Sequence, residues 1–259
     1  MGVIYSFGED IAILLVSLAV IVTNSFEIKI LLARRKHFVP YEQLLLSLSV
    51  ADLLVGASWL LVTVIDLTAS SVLSLAVEKN ISIPYWCSIL LSMTHVYMLT
   101  ADRFVAVLFP LRHKIHVTNR FATVLILFAW FSSAGVTASL VITISLVGVK
   151  YYLADFAFST LSGMILVYTF IIYKVVIRQK NAANGAVNHA SQRQARERRL
   201  VYVCLTVTVS FCICTTPLMY TKENNMYQTF FVVDLALILN SLFNPFIYYF
   251  WKLIEKHYN

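Results

Sequence analysis

The chain has 259 residues, of which 59% are hydrophobic and only 13% are charged, and its mean hydropathy is +0.78. Soluble domains carry about a quarter charged residues, so this composition excludes a soluble globular protein and indicates a polytopic membrane protein. The net charge of +7 is not a sign of nucleic-acid binding, because the basic residues cluster in alternate loops, as membrane topology requires.

Seven apolar stretches each reach the roughly 20 residues that a membrane-spanning helix needs. In chain order, spans one to seven are Ile11–Ala33, Gln43–Leu67, Tyr85–Pro110, Phe121–Ile144, Tyr152–Ile177, Leu200–Tyr220 and Tyr227–Trp251. Seven spans joined by short loops predict an all-α seven-transmembrane helix bundle that forms a single domain over residues 1–259.

The basic residues predict the orientation of the bundle. Most of the 20 Lys and Arg residues follow spans one, three and five or lie in the tail, and loops rich in these residues stay in the cytoplasm. We therefore expect an outside N-terminus, a cytoplasmic C-terminus and a multi-pass protein of the plasma membrane. Asn80-Ile-Ser82 has the pattern of a glycosylation acceptor, and we place it in the outside loop before span three, with an unmodified loop as the alternative.

Span two carries an acidic residue at membrane depth. Asp52 lies about ten residues into the span, roughly 15 Å along a helix, where a charged side chain costs about 2.5–3.5 kcal/mol to insert. Such a residue usually faces the bundle interior and marks a functional site, although an Asp that only packs against a neighbouring helix is the alternative. Polar residues at comparable depth in other spans are Asn24, Ser92, Asn240, Ser241 and Asn244.

Span three ends with the sequence Asp102-Arg103-Phe104. Because an arginine cannot release its proton, Arg103 must reach water or find acceptors. Asp102 is one acceptor, and Glu197 near the inner end of span six is a second candidate, which predicts a bridge between spans three and six. The alternative is that Arg103 extends to the lipid headgroups while Glu197 pairs with neighbouring arginines.

Span seven contains a proline at membrane depth, within Asn244-Pro-Phe-Ile-Tyr248. A proline inside a helix removes one amide donor, and in lipid the freed carbonyl must be satisfied by a neighbour or by water. A polar partner is therefore expected elsewhere in the bundle, and we expect Asp52 to form a hydrated pocket beside the kink.

A series of motifs, one in each span, occurs in a fixed order along the chain. They are Asn24, Leu48-Ser-Val-Ala-Asp52, Asp102-Arg103-Phe104, Trp130, Tyr168, Phe211-Cys-Ile-Cys-Thr-Thr-Pro217 and Asn244-Pro-Phe-Ile-Tyr248. In this pattern the chain resembles the rhodopsin-like G-protein-coupled receptors over nearly all its length. The resemblance implies a receptor and not an enzyme, with a heterotrimeric G protein as its partner on the inner side.

The resemblance also implies a metal site. In this family the span-two aspartate binds a sodium ion together with a serine of span three and polar groups of span seven. A sodium ion is the single cofactor that we expect. The residues that would hold it are Asp52, Ser92, Asn240, Ser241 and Asn244.

A switch at the inner ends of the helices is the next feature that the resemblance implies. In the family, an arginine leaves its acidic neighbours to contact the G protein when span six moves outward about a proline hinge. Two tyrosines turn inward to support that arrangement. The matching residues are Asp102, Arg103, Glu197, Tyr168, Pro217 and Tyr248.

The outer halves of the spans contain the candidate ligand pocket. Tyr85 stands where amine receptors carry an aspartate and Ile238 where opsins carry a lysine, so we expect neither an amine anchored at that position nor retinal. An apolar, aromatic lining favours a lipid-like or amphipathic ligand, with a short peptide as the alternative; these aromatic residues could also be packing or part of the interfacial belt. The candidate residues are Tyr85, Trp86, Ile89, Tyr152, Leu218, Met219, Lys222 and Asp234.

Two departures from the family pattern leave two functions open. Glu78 occupies the place of the usual outside cysteine, and Thr215 replaces the usual span-six tryptophan. The first function is a G-protein-coupled receptor that binds an extracellular or membrane-derived ligand and activates its G protein through outward movement of the sixth helix. The second is a non-signalling seven-transmembrane decoy or a trafficking partner of other receptors. The intact Arg103 and Tyr248 favour the first.

Overall fold

The computed structural model describes residues 6–33, 38–68, 71–143, 156, 159, 162–174, 177, 206, 209–210, 213–214, 216 and 230–258. Within these residues the regular structure is helical, without a strand. The helices are α1 (Phe7–Ala33), α2 (Pro40–Thr68), α3 (Ser71–Leu108), α4 (Pro110–His116), α5 (Asn119–Thr143), α6 (Ser162–Lys174) and α7 (Phe230–Tyr258). Helix α5 corresponds to span four, α6 to the inner part of span five and α7 to span seven. By length and composition, α1, α2 and the first 21 residues of α5 can cross a membrane.

Helix α1 buries one stripe that contains both polar and apolar residues. Its buried positions recur every three or four residues, which defines one stripe along the helix. They are Asp10, Ile13, Ser17, Val20, Asn24, Glu27 and Leu31. The other faces expose large apolar side chains such as Leu15, Val22 and Phe26. This is the arrangement expected of a helix with lipid on one side and polar partners in the bundle on the other.

Helices α1 and α2 pack closely because α2 has a glycine at their contact. A Cβ atom placed on Gly56 would lie 3.0 Å from Val20 Cγ1 and 3.2 Å from the Ser17 carbonyl oxygen. Without a strong hydrophobic force between helices in lipid, small residues that permit this approach strengthen the packing. Gly56 therefore fixes how deeply α2, and Asp52 with it, sits against α1.

Helix α3 is longer than the sequence predicted. We expected span three to begin at Tyr85, after an outside loop, but the helix begins at Ser71 and runs 38 residues to Leu108 with Pro84 inside it. Hydropathy marks where a helix enters the membrane and not where the helix begins, so a polar segment can continue the same helix above the membrane. The backbone at Asn80 is therefore helical and not part of a loop.

Helix α5 is joined to α2 by an interhelical hydrogen bond. The Trp130 indole Nε1 donates to Ser47 Oγ at 3.0 Å. Nearer the ends of the two helices, Thr123 donates to Gln43 at 3.4 Å. These bonds place α5 against α2, and α5 also packs against α3.

The backbone carbonyl that the proline of α7 leaves without a donor is bonded by a side chain of α1. Pro245 lies inside α7, so the Ser241 carbonyl four residues earlier lacks its helical donor. Asn24 Nδ2 donates to that carbonyl oxygen at 3.0 Å, and also to the Val20 carbonyl of its own helix at 3.0 Å. The sequence predicted Asp52 as the polar partner beside this proline, but the donor to the freed carbonyl is Asn24, and Asp52 bonds to side chains of α7 instead.

Candidate functional site

The Asp52 carboxylate is the centre of a hydrogen-bond cluster that joins three helices. Ser92 of α3 and Ser241 of α7 each donate a hydroxyl to Asp52 Oδ1, both at 2.8 Å. Asn244 of α7 donates its amide to Oδ2, also at 2.8 Å. Because Asp52 is fully buried, these charge-assisted bonds replace the hydration that the carboxylate loses.

Two other polar residues were predicted at the depth of Asp52, Asn240 and Asn24, and their surroundings differ. Asn240 is buried, but no hydrogen bond from it to Asp52 is found among the described residues. Asn24 is connected to the cluster through Ser241: the Asn24 amide donates to the Ser241 carbonyl, and the Ser241 hydroxyl donates to Asp52. Asn24, one of the residues of comparable depth, therefore does not donate to the carboxylate, because its amide donates to the Val20 and Ser241 backbone carbonyls.

The donor set at this cluster suits a hard cation. Carboxylate, hydroxyl and amide oxygens are the ligands that such cations prefer, and the three side chains on Asp52 are Ser92, Ser241 and Asn244. The Asn24 Oδ1 atom is also buried, with no hydrogen-bond partner among the described residues. No group of three or more His, Cys, Asp and Glu side chains able to hold a metal occurs in the described part of the chain.

The inner end of α3 is tied to the short helix that follows it. His113 Nε2 lies 2.8 Å from Asp102 Oδ1, with Asp102 almost buried and His113 partly buried. Helix α4 begins with Pro110 at its first turn and turns the chain back toward α3, which brings residues 11 positions apart into contact. Asp102 is thus held by a residue that the sequence analysis did not assign to the switch.

Tyr168 of α6 reaches α3 close to the same end. Its hydroxyl donates to Thr100 Oγ1 at 3.3 Å, and both residues are buried. Arg103 and Tyr248 lie on α3 and α7, but their side chains are outside the described part of the structure, as are Glu197 and Pro217 entirely. The structure therefore brings Tyr168 and Asp102 to the inner half of α3, while the predicted bridge from Arg103 to Glu197 falls outside the described residues.

An aromatic cluster lies toward the other end of α3. Tyr85 packs edge-on against Trp59 of α2, with ring centroids 5.1 Å apart, and lies 4.7 Å from the Trp86 ring. Asp234 of α7 is buried and within electrostatic reach of the Tyr85 hydroxyl. Ile89 is buried in the same core. The other predicted pocket residues, Tyr152, Leu218, Met219 and Lys222, lie outside the described residues.

Sequence reasoning missed two further polar residues. Glu27 is buried in α1, where its Oε2 accepts a hydrogen bond from Ser49 of α2 at 3.0 Å. Its signal was available, because a carboxylate inside an apolar span marks function by the same rule that selected Asp52. His113 gave no such signal, since a histidine in a basic loop is ordinarily solvated.

The chain was compared with protein-family models and with known proteins, and both comparisons found receptors. The family model described as 7 transmembrane receptor (rhodopsin family) matches residues 23–152, about half of the chain. The match contains Asn24, Asp52, Ser92 and Asp102. The lysophosphatidic acid receptor 3 of Rattus norvegicus is 24% identical over 259 aligned positions, which cover 87% of this chain and 70% of that protein.

Proposed function

The chain belongs to the rhodopsin family of seven-transmembrane receptors, and from this premise we propose that it is a signalling receptor that activates a heterotrimeric G protein. The resemblance drawn from the motifs is confirmed, and so is the all-α seven-transmembrane fold class. The protein is a multi-pass membrane receptor and not an enzyme. We propose a plasma-membrane location, with the N-terminus outside, and one receptor domain over residues 1–259.

The Asp52 cluster is the observation that carries this proposal. One buried carboxylate holds α3 and α7 through three bonds of 2.8 Å. A rigid-body shift of either helix must break or exchange these bonds, and packed helices move between discrete arrangements more readily than they deform continuously. A ligand that binds the two arrangements with different affinities then biases the equilibrium between them.

The contacts near the inner end of α3 support the proposed coupling to the G protein. Asp102 is held by His113 of α4, and Tyr168 is held beside α3 by Thr100. Both contacts lie within three residues of Arg103 along α3. We propose that outward movement of the sixth helix about Pro217 frees Arg103 for the G protein, with Glu197 as the acidic group that restrains it beforehand.

We propose an amphipathic lipid as the ligand. The described part of the candidate pocket is apolar and aromatic, with Trp59, Tyr85, Trp86 and Ile89 buried together. The name of the rat relative refers to a lysophospholipid, which is a single-chain amphiphile of this chemical class. Its phosphate would be repelled by the buried Asp234 carboxylate, so we assign the anionic end of such a ligand to Lys222.

A sodium ion at Asp52 is a further part of the proposal. The residues that would hold it are Asp52, Ser92, Ser241 and Asn244, with Asn240 buried nearby. When bound, the ion would supply a positive charge that offsets the buried carboxylate. Ser92, Ser241 and Asn244 position that carboxylate.

Nucleotide exchange tests the proposed function. The receptor in lipid nanodiscs is mixed with each Gα class in turn, and GTP analogue binding is followed with lysophosphatidic acid or with the matching monoacylglycerol that lacks the phosphate. We expect one class to respond and an Arg103→Ala variant to lose the response. If neither basal nor ligand-driven exchange occurs with any class at verified folding, the decoy function replaces the signalling one.

A further inference from the structure

The short helix α4 has two large apolar side chains that are exposed. Leu111 is 77% exposed and Ile115 is 69% exposed, and because they are four residues apart they lie on one face of the helix. His113 is two residues from each of them, which places it about 160–200° away around the helix axis. Since His113 contacts Asp102 of α3, the apolar face of α4 points away from the helix to which α4 is tied.

The contact of His113 also sets the height of α4 along the bundle. Asp102 lies six residues before Leu108, the last residue of α3, or about 9 Å back along the helix. His113 Nε2 reaches Asp102 Oδ1 at 2.8 Å, so α4 lies beside the last turns of α3 and does not extend beyond them. Span three ends at Pro110, which puts α4 at the surface of the membrane.

Exposed aromatic residues border α4 on both sides in the chain. Phe109 precedes it and Phe121 follows it, and both are about half exposed. Phe121 lies in the first turn of α5, where Val124 and Phe128 continue the exposed apolar face. Because α5 can cross a membrane by length and composition, this face meets lipid from Phe121 onward. The apolar face of α4 continues that lipid-facing surface at the edge of the membrane, where acyl chains are the partner that it fits.

Positive charges border the apolar face of α4 on both sides. Arg112 and Lys114 are exposed, and each lies about 80° from the centre of the face, on opposite sides of it. Arg120 adds a third exposed cation at the start of α5, and the sequence has no Asp or Glu between Asp102 and Asp155. Long basic side chains beside an apolar helix face extend to lipid phosphates while the face contacts acyl chains. This pattern of charge favours an anionic leaflet.

The two cations of α4 do not converge on one lipid headgroup. Arg112 and Lys114 are about 160° apart around a helix that is about 10 Å wide with its side chains. The Arg112 guanidinium lies over the Phe109 ring, 5.7 Å from its centre, and so on its own side of the helix. A leaflet with many singly charged headgroups suits this spacing, whereas one polyphosphorylated headgroup needs cations that are grouped on one side.

We propose that α4 docks on a leaflet that contains phosphatidylserine, with Leu111 and Ile115 among the acyl chains and the two flanking cations on separate headgroups. Docking holds α4 in place, and with it the contact of His113 to Asp102. The lipid composition of the leaflet therefore acts on the inner end of α3. That effect on signalling rests on the receptor function proposed above, whereas the docking itself does not.

Photo-crosslinking tests the docking without a signalling readout. The receptor is placed in nanodiscs of phosphatidylcholine with a smaller fraction of phosphatidylserine, and a diazirine is carried on the acyl chain of one lipid or the other. The enrichment is the ratio of phosphatidylserine to phosphatidylcholine labels on residues 109–116, divided by the same ratio on residues 124–131 of α5, whose exposed face is apolar. We expect an enrichment of roughly 25, about fivefold for each of the two cations.

Paired variants separate the roles of charge and apolar surface. Arg112→Gln with Lys114→Gln should abolish the enrichment, while Arg112→Lys with Lys114→Arg, which keeps both charges, should retain it. Leu111→Ser with Ile115→Ser should lower labelling of residues 109–116 by both lipids at least about tenfold. Salt needs no substitution and decides the matter if a variant does not fold: raising the ionic strength from about 0.05 to about 0.5 M should lower the wild-type enrichment severalfold.

Four results would overturn the proposal. They are a wild type without enrichment, equal enrichment in the charge-free and charge-keeping variants, an enrichment indifferent to salt, and displacement of phosphatidylserine by a phosphoinositide far beyond its share of the total lipid charge. The last result requires one headgroup that binds both cations. If Leu111→Ser with Ile115→Ser labels like the wild type but loses nucleotide exchange, the apolar face of α4 belongs to the G protein and not to the leaflet.

Discussion

Asn24 is expected to stabilise the receptor mainly by compensating for Pro245, and a double-mutant cycle measures this dependence. Asn24→Ala removes the 3.0 Å bond to the Ser241 carbonyl and leaves that buried oxygen without a donor. A buried group left unsatisfied costs about 1–3 kcal/mol, while interhelical hydrogen bonds measured in membranes contribute about 0.6 and at most about 1.7 kcal/mol. We expect Asn24→Ala to lower the free energy of unfolding by about 1.5 kcal/mol.

The same substitution should cost less when residue 245 has an N–H group. In Pro245→Ala, the new amide can donate to the Ser241 carbonyl, so the carbonyl no longer depends on Asn24. We expect the cost of Asn24→Ala to fall to about 0.5 kcal/mol in that background, which gives a coupling of about 1 kcal/mol. The loss of side-chain volume at Asn24 is the same in both backgrounds and cancels in the cycle.

Unfolding in mixed detergent micelles, followed by tryptophan fluorescence, provides the free energies of unfolding of four proteins. They are the wild type, Asn24→Ala, Pro245→Ala and the double variant. Thr94→Ala is the matched control, because the Thr94 hydroxyl donates only within its own helix, to the Leu90 carbonyl, in the bonds described. It should show no coupling with Pro245→Ala. If the two costs of Asn24→Ala agree within about 0.5 kcal/mol, the scatter expected of independent sites, the compensation argument is refuted.

Three further substitutions test other parts of the structure. Gly56→Ala should lower stability by about 1–3 kcal/mol through overpacking against α1, whereas Gly135→Ala, with no atom within 4 Å of the added Cβ, should not; equal melting temperatures would contradict the packing argument. His113→Ala should lower basal nucleotide exchange, because Asp102 without its His113 contact is left to restrain Arg103, while His113→Arg, which keeps an N–H donor for Asp102, should not; the same exchange rate in both would argue against this contact. Asp52→Asn should abolish the sodium dependence of ligand binding, and a wild type indifferent to sodium would exclude that site.

The membrane class and the inward position of Asp52 could be predicted from the sequence, because both follow from single-residue costs in lipid. A carboxylate at that depth must have partners, and the family motifs supplied Ser92, Ser241 and Asn244, each of which does bond to it. The group to which the Asn24 side chain donates could not be predicted in the same way. Three amide side chains, Asn24, Asn240 and Asn244, lie at similar depth, and only the packing of α1 against α7 decides which of them reaches the carboxylate and which reaches the backbone.

The limits of helix α3 and the contact of His113 depended on information that hydropathy does not contain. Polar residues before Tyr85 indicated the end of the membrane, and the helix continues beyond it to Ser71. The partner of Asp102 depended on the angle of the α3–α4 turn, which is set by a few backbone dihedrals around Phe109. Glu27 was predictable by contrast, since its charge and depth were visible in the sequence.

The bond between Asn24 and the Ser241 carbonyl has a consequence for how the protein is made. The two residues are 217 positions apart, so the first helix to enter the membrane holds the amide that the last helix needs. Until α7 reaches α1, its kink exposes an unsatisfied carbonyl to lipid or to the insertion machinery. A newly made chain in which α1 has drifted from the other helices cannot complete α7, and such chains would be available to quality control before they leave the membrane where they were synthesised.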